Sequence, residues 1–409
     1  FAIAFCYLIF VLTLSAQNNN NAKIKLPNGW YLSPAGKSLP LGDFPLNMAV
    51  SKSKKWMAVT NNGQGKQNIQ LIDLVNEKIA DDVPVDKAWL GLVFSADEKY
   101  LYTSGGNDNW VLQYAINNQK LKLIDSIKLG EKWPRKISPT GLCIDESSQK
   151  LYVVTKDDSA LYTINLKSKK VIQKTYLAAE AYDCVVAPNK KKLYISCWGG
   201  QKIIVFSTVT NEIVREIKVG VHPNDICITK NGKLLYVANA EDNSVSVVDL
   251  NVYKEVEVLN TALYPNAPAG STTNGVALSE DEKTLYIANA DNNYLAVYDV
   301  SKKLESKSKG FIPVGWYPTA VQVVKNKIYV TNGKGFSSFP NPLGPDPYKR
   351  GAQMAYQQGL IKSMEDEQYI GSLMKGTLSI INTPSPKQLG LYSAAVYDNT
   401  PYTKQSEQN

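Results

Sequence analysis

Histidine is almost missing from this chain: His222 is the only one in 409 residues. Zinc centres and nucleophile–base triads draw on histidine as ligand or proton carrier, so a histidine-built metal site is excluded and little is left for base catalysis. Arginine is nearly as scarce, with only Arg135, Arg215 and Arg350 among 45 basic residues. Nucleic-acid readers cluster arginine with aromatics. Here the formal net charge of +8 is a lysine excess spread along the chain, in runs such as Lys190-Lys191-Lys192 that fall in turns. The expected partners therefore include no nucleic acid. Cysteine is sparse too: five residues, with no CxxC or Cys/His set to suggest a metal.

A stretch long enough to span a membrane comfortably is also lacking. Phe1 to Leu14 is nearly all apolar but short, and Leu14-Ser15-Ala16 before Gln17 offers a small residue ahead of a cleavage point. Residues 1–16 read as a signal peptide with its beginning cut off, followed by a flexible mature end over 17–28. The expectation is an exported protein, secreted or periplasmic, with no stable membrane insertion after cleavage and no cysteine placed for a lipid anchor. Cys6 leaves with the signal. In an oxidising compartment Cys184 and Cys197, on neighbouring strands of one repeat, are candidates for a cross-strand disulfide. Buried free thiols are the alternative there, as for Cys143 and Cys227, which take equivalent positions in two repeats.

Long runs with apolar residues at three- and four-residue spacing are absent, which excludes a helical solenoid. What the chain does contain is one pattern, seven times over: an apolar run, a polar turn, a second run near Leu-Tyr-Val, an alternating third run that often ends in Asp, and a fourth run. Its clearest copies run from Pro223-Asn224-Asp225-Ile226 to Leu235-Tyr236-Val237-Ala238-Asn239 and from Thr273-Asn274-Gly275-Val276 to Leu285-Tyr286-Ile287-Ala288-Asn289. The tyrosine slot falls at Ala58, Tyr102, Tyr152, Tyr194, Tyr236, Tyr286 and Tyr329, in steps of 44, 50, 42, 42, 50 and 43 residues. That spacing suits one four-stranded blade per repeat. The fold expected is all-β, a seven-bladed β-propeller of four-stranded antiparallel blades over residues 29–396, with a partly helical insert in the last blade. Blade seven needs a strand from a chain end. Lys37 to Gly42 resembles the fourth strands and can supply it, and Lys387 to Val396 is the other candidate.

In such blades the loops leading into first strands and those joining second to third strands share one face, and loops on a rigid scaffold are where function concentrates. The candidate ligand-binding residues on that face are Trp198, His222, Asn224, Asp225, Asn239, Asn289, Trp316, Tyr317 and Asn332. Amides and aromatics round a depression suit a small polar ligand or a glycan. Each has a structural alternative: Asn at a strand end bonds its own backbone, and the tryptophans and His222 serve equally as packing. No residue is assigned as catalytic or metal-binding. In blade seven the third strand should follow Tyr329-Val330-Thr331-Asn332-Gly333 within a few residues, yet it waits until Gly376-Thr377-Leu378. The insert, Lys334 to Lys375, overhangs the same face, and a loop of that length usually has a function.

The Leu-Tyr-Val-Ala-Asn, Val-Ser-Val-Val-Asp and Ile-Lys-Val-Gly segments resemble the YVTN-repeat, YncE-like propeller family over roughly residues 29 to 396. Departures are Ala58 for Tyr, and Gly105, Thr155 and Cys197 where Asn stands elsewhere. Pro340-Asn341-Pro342, Gly344-Pro345, Tyr369-Ile370-Gly371-Ser372-Leu373 and the exit Asn399-Thr400-Pro401-Tyr402 resemble a narrower group, in which such a propeller precedes an alkaline-phosphatase-like phosphoesterase domain. That resemblance implies a non-catalytic module, with residues 397–409 beginning a linker and a C-terminal phosphoesterase domain of the same polypeptide as partner. Divalent metal is expected only in that domain, none in this chain. Two other readings stand beside it. One is a lactonase-like hydrolase, for which Asp183 and Asp225 occupy equivalent places in repeats four and five. The other is a cell-surface binding or scaffold propeller.

Overall fold

The computed structural model describes residues 23–336 and 370–401. They form seven four-stranded antiparallel sheets arranged as blades, with a two-stranded pairing of Ile24–Lys25 and Tyr31–Leu32 at the start. Blade five is representative: Pro223–Ile228, Leu234–Asn239, Ser244–Asp249 and Lys254–Asn260 pair in that order. The tyrosine slot lies on each second strand. Tyr152, Tyr194, Tyr236 and Tyr286 are all less than 4% exposed, wedged between neighbouring blades. Fully burying a large apolar side chain is worth about 1.5–3 kcal/mol, so the repeat spaces out the core itself.

Third strands behave differently from the half-buried alternation their sequence suggests. Ser244–Asp249 and Asn68–Asp73 are buried at every position. Neighbouring blades cover both faces of a middle strand, so its polar residues must find partners indoors. Ser244 and Ser246 do so through Asn239, whose Nδ2 donates to both hydroxyls at 2.9 Å. Fourth strands, at the rim, carry the alternation: Lys170–Tyr176 is exposed at every second residue. The recurrent Asp after third strands closes the next turn. Asp249 Oδ1 accepts from Asn251 N at 2.8 Å, and Asp73 Oδ1 from Val75 N at 2.9 Å.

The ring closes with the chain's beginning. Lys37–Asp43 pairs with Lys375–Asn382 as the fourth strand of blade seven, with Leu39 opposite Leu378. The alternative candidate for that strand is instead a helix, α1 (Pro386–Asp398), because Ser385 caps it through Gln388 N and Pro386 starts it. Helix α1 packs Leu389 and Val396 against blade six, and Ser393 Oγ accepts from Phe311 N at 2.9 Å, covering part of that blade's outer edge.

Cys184 sits opposite Ile195, so Cys197 is out of register with it, and the cross-strand disulfide is not formed. Cys143 and Cys227 are equivalent as expected, each opposite its blade's tyrosine. The signal-peptide reading, the body of the insert (337–369) and most of the linker (402–409) lie outside the described residues. The insert's flanks are placed: Gly335 pairs with Trp316, and Lys375 with Asp43. It therefore leaves from and returns to the face that carries the lead-in loops. Among the described residues no helix is long and apolar enough to cross a membrane.

Candidate functional site

Two features meet on the lead-in face. The first is an aromatic slot of about 240 Å³ across blades two to four, lined by Trp89, Thr140, Lys156, Glu180, Ala181, Tyr182 and Trp198. Trp198 opens a single 3-10 turn directly after the second strand of blade four. Gly199 lets that turn settle on the lead-in loop: a Cβ there would stand 3.2 Å from Glu180 Cβ, and Gly199 N already donates to Glu180 O at 3.3 Å. Lys156 places its ammonium 5.8 Å from the Trp89 ring centre and 6.0 Å from that of Trp198. At that range a cation interacts favourably with both indole faces. His222 backs the slot, stacked on Trp198 with centroids 3.9 Å apart. Its Nδ1 stands 3.0 Å from Glu241 Oε1 but out of line for a neutral N–H···O bond, so the pair attracts when the ring is charged.

The second feature lines the central channel. The inner-strand position that is Gly91, Gly141, Gly275 and Ala320 in four blades is Asp183 in blade four and Asp225 in blade five. The strands are so close here that a Cβ on Gly141 would come within 2.6 Å of Asp183 Cα. Asp225 Oδ2 accepts from Val276 N of blade six at 2.8 Å. Both residues are half-buried at the first strands of their blades. Burial, and for Asp183 the neighbouring Asp225, push both carboxyls well above the usual range. Burial likewise raises the Tyr182 hydroxyl, with Asp225, Asp183 and Tyr317 adding to it. Such groups hold protons near neutrality and suit hydrogen-bond donation to a ligand at the channel mouth.

The nine predicted residues divide. Trp198 and His222 belong to the slot, and Asp225 to the channel. Trp316 and Tyr317 form a separate corner on blade seven beside the insert's flank, where Lys334 lies 4.3 Å from the Tyr317 ring centre and Phe44 packs 5.7 Å away. The remaining four lie inside the blades. Asn239, Asn289 and Asn332 are fully buried and bond hydroxyls inside the sheet, as Asn332 Nδ2 does to Ser379 Oγ at 3.0 Å. Asn224 is a latch: 2% exposed, it donates to Thr273 O of blade six at 3.2 Å.

Sequence reasoning missed Lys156 and Glu180. The available signal was internal, since Lys156 stands where blades five and six carry Ala240 and Ala290. It also missed the brackets Asn109 and Asn243, which open third strands and hold the next blade's lead-in loop. Asn109 Oδ1 accepts from Ile137 N and Ser138 N at 3.1 and 3.0 Å. Among the described residues no group of three or more His, Cys, Asp or Glu is arranged to hold a metal ion.

The family profile described as lactonase, 7-bladed beta-propeller, matches residues 143–256 and 184–332. Two curated relatives, both described as uncharacterized protein YncE, from Salmonella typhi and from Salmonella typhimurium, are each 26% identical over 186 residues, 44% of this chain. The match spans 50% of the length of each. Among solved structures, Kuenenia stuttgartiensis hydrazine synthase is similar with a TM-score of 0.61 at 17% identity, over 71% of this chain and 93% of that one. The structure of U3-55K is similar with a TM-score of 0.63 at 11% identity, over 74% and 94%. Both likenesses speak to the fold alone. This chain is a seven-bladed β-propeller, similar over residues 143–332 to the lactonase-type propellers and over 186 residues to YncE.

Proposed function

We propose that the chain is the binding module of an exported protein, and that it holds a small polar ligand with a flat face, of the size of one sugar ring, in the Trp89–Trp198 slot. The observation that carries this reading is the Lys156 ammonium set over both indoles at the rim of a cavity of about 240 Å³. Indole faces stack on the C–H face of a sugar or on a planar group, and a cation between them attracts an acidic substituent. In this reading the propeller serves an alkaline-phosphatase-like phosphoesterase domain on the same polypeptide. Support for that part comes from the Pro340-Asn341-Pro342 and Asn399-Thr400-Pro401-Tyr402 resemblances. The test is a fluorescence and calorimetric titration of the chain with monosaccharides and the matching uronates. Saturable binding that fails in both Trp89→Ala and Trp198→Ala supports the assignment. Binding that survives both substitutions, or no saturation at millimolar ligand, overturns it.

A hydrolytic reading has one observation of its own: two neighbouring proton-holding carboxyls, Asp183 and Asp225, in a chain that matches a lactonase profile. A carboxylic acid at the channel mouth can donate a proton to a leaving oxygen. Incubating the purified chain with gluconolactone, with and without divalent cations, separates the readings. Turnover lost in Asp225→Asn favours hydrolysis, and no turnover in any condition leaves binding alone.

A further inference from the structure

We infer that Cys143 and Cys184 join as a disulfide that staples blade three to blade four when the chain folds in an oxidising environment. The two lie on the first strands of adjacent blades, Cys143 opposite Tyr152 and Cys184 opposite Ile195. Their side chains point at one another, with the sulfurs 3.2 Å apart. That is closer than two sulfurs normally approach without a bond, and about 1.2 Å beyond the bonded separation of about 2.05 Å. Among the described residues Cys197 shows no such sulfur contact; its Sγ lies 4.0 Å from the Ile195 carbonyl oxygen.

The surroundings favour a durable bond. Cys143 is 9% and Cys184 5% exposed, in a cluster with Tyr152, Leu193 and Ile195. Burial also pushes the Cys184 thiol well up, so that thiol is a poor nucleophile once folded. The bond is therefore made during folding, before the blades close over it. One thiolate attacks a low-molecular-weight disulfide such as oxidised glutathione, or the disulfide of a thiol oxidoreductase, to give a mixed disulfide. The second cysteine displaces the carrier thiol. Two protons and two electrons leave the cysteines, and the oxidant's disulfide becomes two thiols.

The staple joins the two blades that supply Lys156 and Trp198 to the slot. It does not depend on the ligand reading, and an in vitro result separates it from the question of export.

The test is to refold the whole chain in a glutathione redox buffer, denature it with N-ethylmaleimide and no reductant, and map the labelled peptides by mass spectrometry. Cys143 and Cys184 are expected to escape labelling and to appear as one linked peptide pair, while Cys197 and Cys227 are labelled. Added dithiothreitol should lower the melting temperature by a few degrees. In Cys143→Ser, Cys184 should be labelled. The same map on unmutated protein keeps the proposal testable if that variant folds poorly. Labelling of Cys143 and Cys184 after oxidative refolding, or a linked pair that joins either of them to Cys6, Cys197 or Cys227, overturns it.

Discussion

The indole of Trp198 and the imidazole of His222 lie face to face, with centroids 3.9 Å apart and planes within 11°. The contact joins blade four to blade five and fixes the tilt of one slot wall. His222 reaches it from a left-handed backbone conformation, φ 52°, directly before Pro223. Tyr317 before Pro318 and Phe44 before Pro45 adopt the same conformation in blades seven and one, with φ 65° and 50°. Stacked aromatic pairs contribute about 0.5–1.5 kcal/mol beyond area. His222→Ala is therefore expected to weaken ligand binding by about 2- to 12-fold and to change Trp198 emission, whereas Trp198→Ala removes binding. Titration of both variants with the sugar panel decides it, and unchanged affinity in His222→Ala counts against a role for the stack.

Glycine at the end of a fourth strand carries a second prediction. A Cβ on Gly220 would meet Asn239 Cγ and Nδ2 at 2.6 Å, and Asn239 is pinned by Ser244 and Ser246. Gly315 faces Asn332 in the same way, at 2.7 Å to Cγ. Overpacking at such a site costs about 1–3 kcal/mol. Gly220→Ala and Gly315→Ala should each lower the unfolding free energy by that amount, read as a lower urea midpoint with the slope unchanged. Gly390 is the contrast. It lies inside α1 with nothing within 4 Å of its would-be Cβ, so Gly390→Ala should stabilise by up to about 1 kcal/mol.

Those Asn–Gly pairs also show where sequence legibility stops. The fold was readable because the tyrosine slot recurs at blade spacing, and one buried tyrosine per blade is what spaces the core. The asparagines were ambiguous because a strand-end amide can face solvent or turn inward, and only the register against Ser244, Ser246 and Ser379 shows that it turns inward. The slot was half readable. Trp198 and His222 stood out as rare residue types, but Lys156 looked like one more surface lysine until blade three placed it between two indoles. The closing strand stayed open between two candidates, since Lys387 to Val396 is apolar enough for either and Ser385-Pro386 settles it as a helix start.

Ring closure carries a third prediction. Lys37–Asp43 covers the third strand of blade seven and buries Leu41 beside Met48 and Leu378. A chain that begins at Phe44 exposes that strand as an unpaired edge, which templates association. It is expected to lose its monomer peak on size-exclusion chromatography and its single cooperative melt. Adding residues 23–43 back as a peptide should restore both in part. A truncated chain that stays monomeric and melts as the whole protein does would show that the ring needs no latch.

The channel carboxyls make a prediction about pH. In the unfolded chain Asp183 and Asp225 titrate near about pH 3.9, while in the folded chain burial and their mutual repulsion hold at least one proton to higher pH. Between those limits the folded state binds more protons than the unfolded state. Stability therefore falls as pH rises from about 4 through neutrality, and levels off once the folded pair is ionised. Most other perturbed carboxylates are shifted the opposite way: Asp249, held by Lys303, and Asp73, held by Asn76, lose their contribution only as pH drops below the usual carboxylate range. The two effects occupy different parts of the pH axis. Asp225→Asn keeps an acceptor for Val276 N and removes the titration. Urea unfolding of wild type and variant from pH 4 to 9 should show the variant gaining on wild type as pH rises, and exceeding it above neutrality. A stability difference that stays flat across that range would mean that lumen water solvates the pair and that the channel wall does not perturb it.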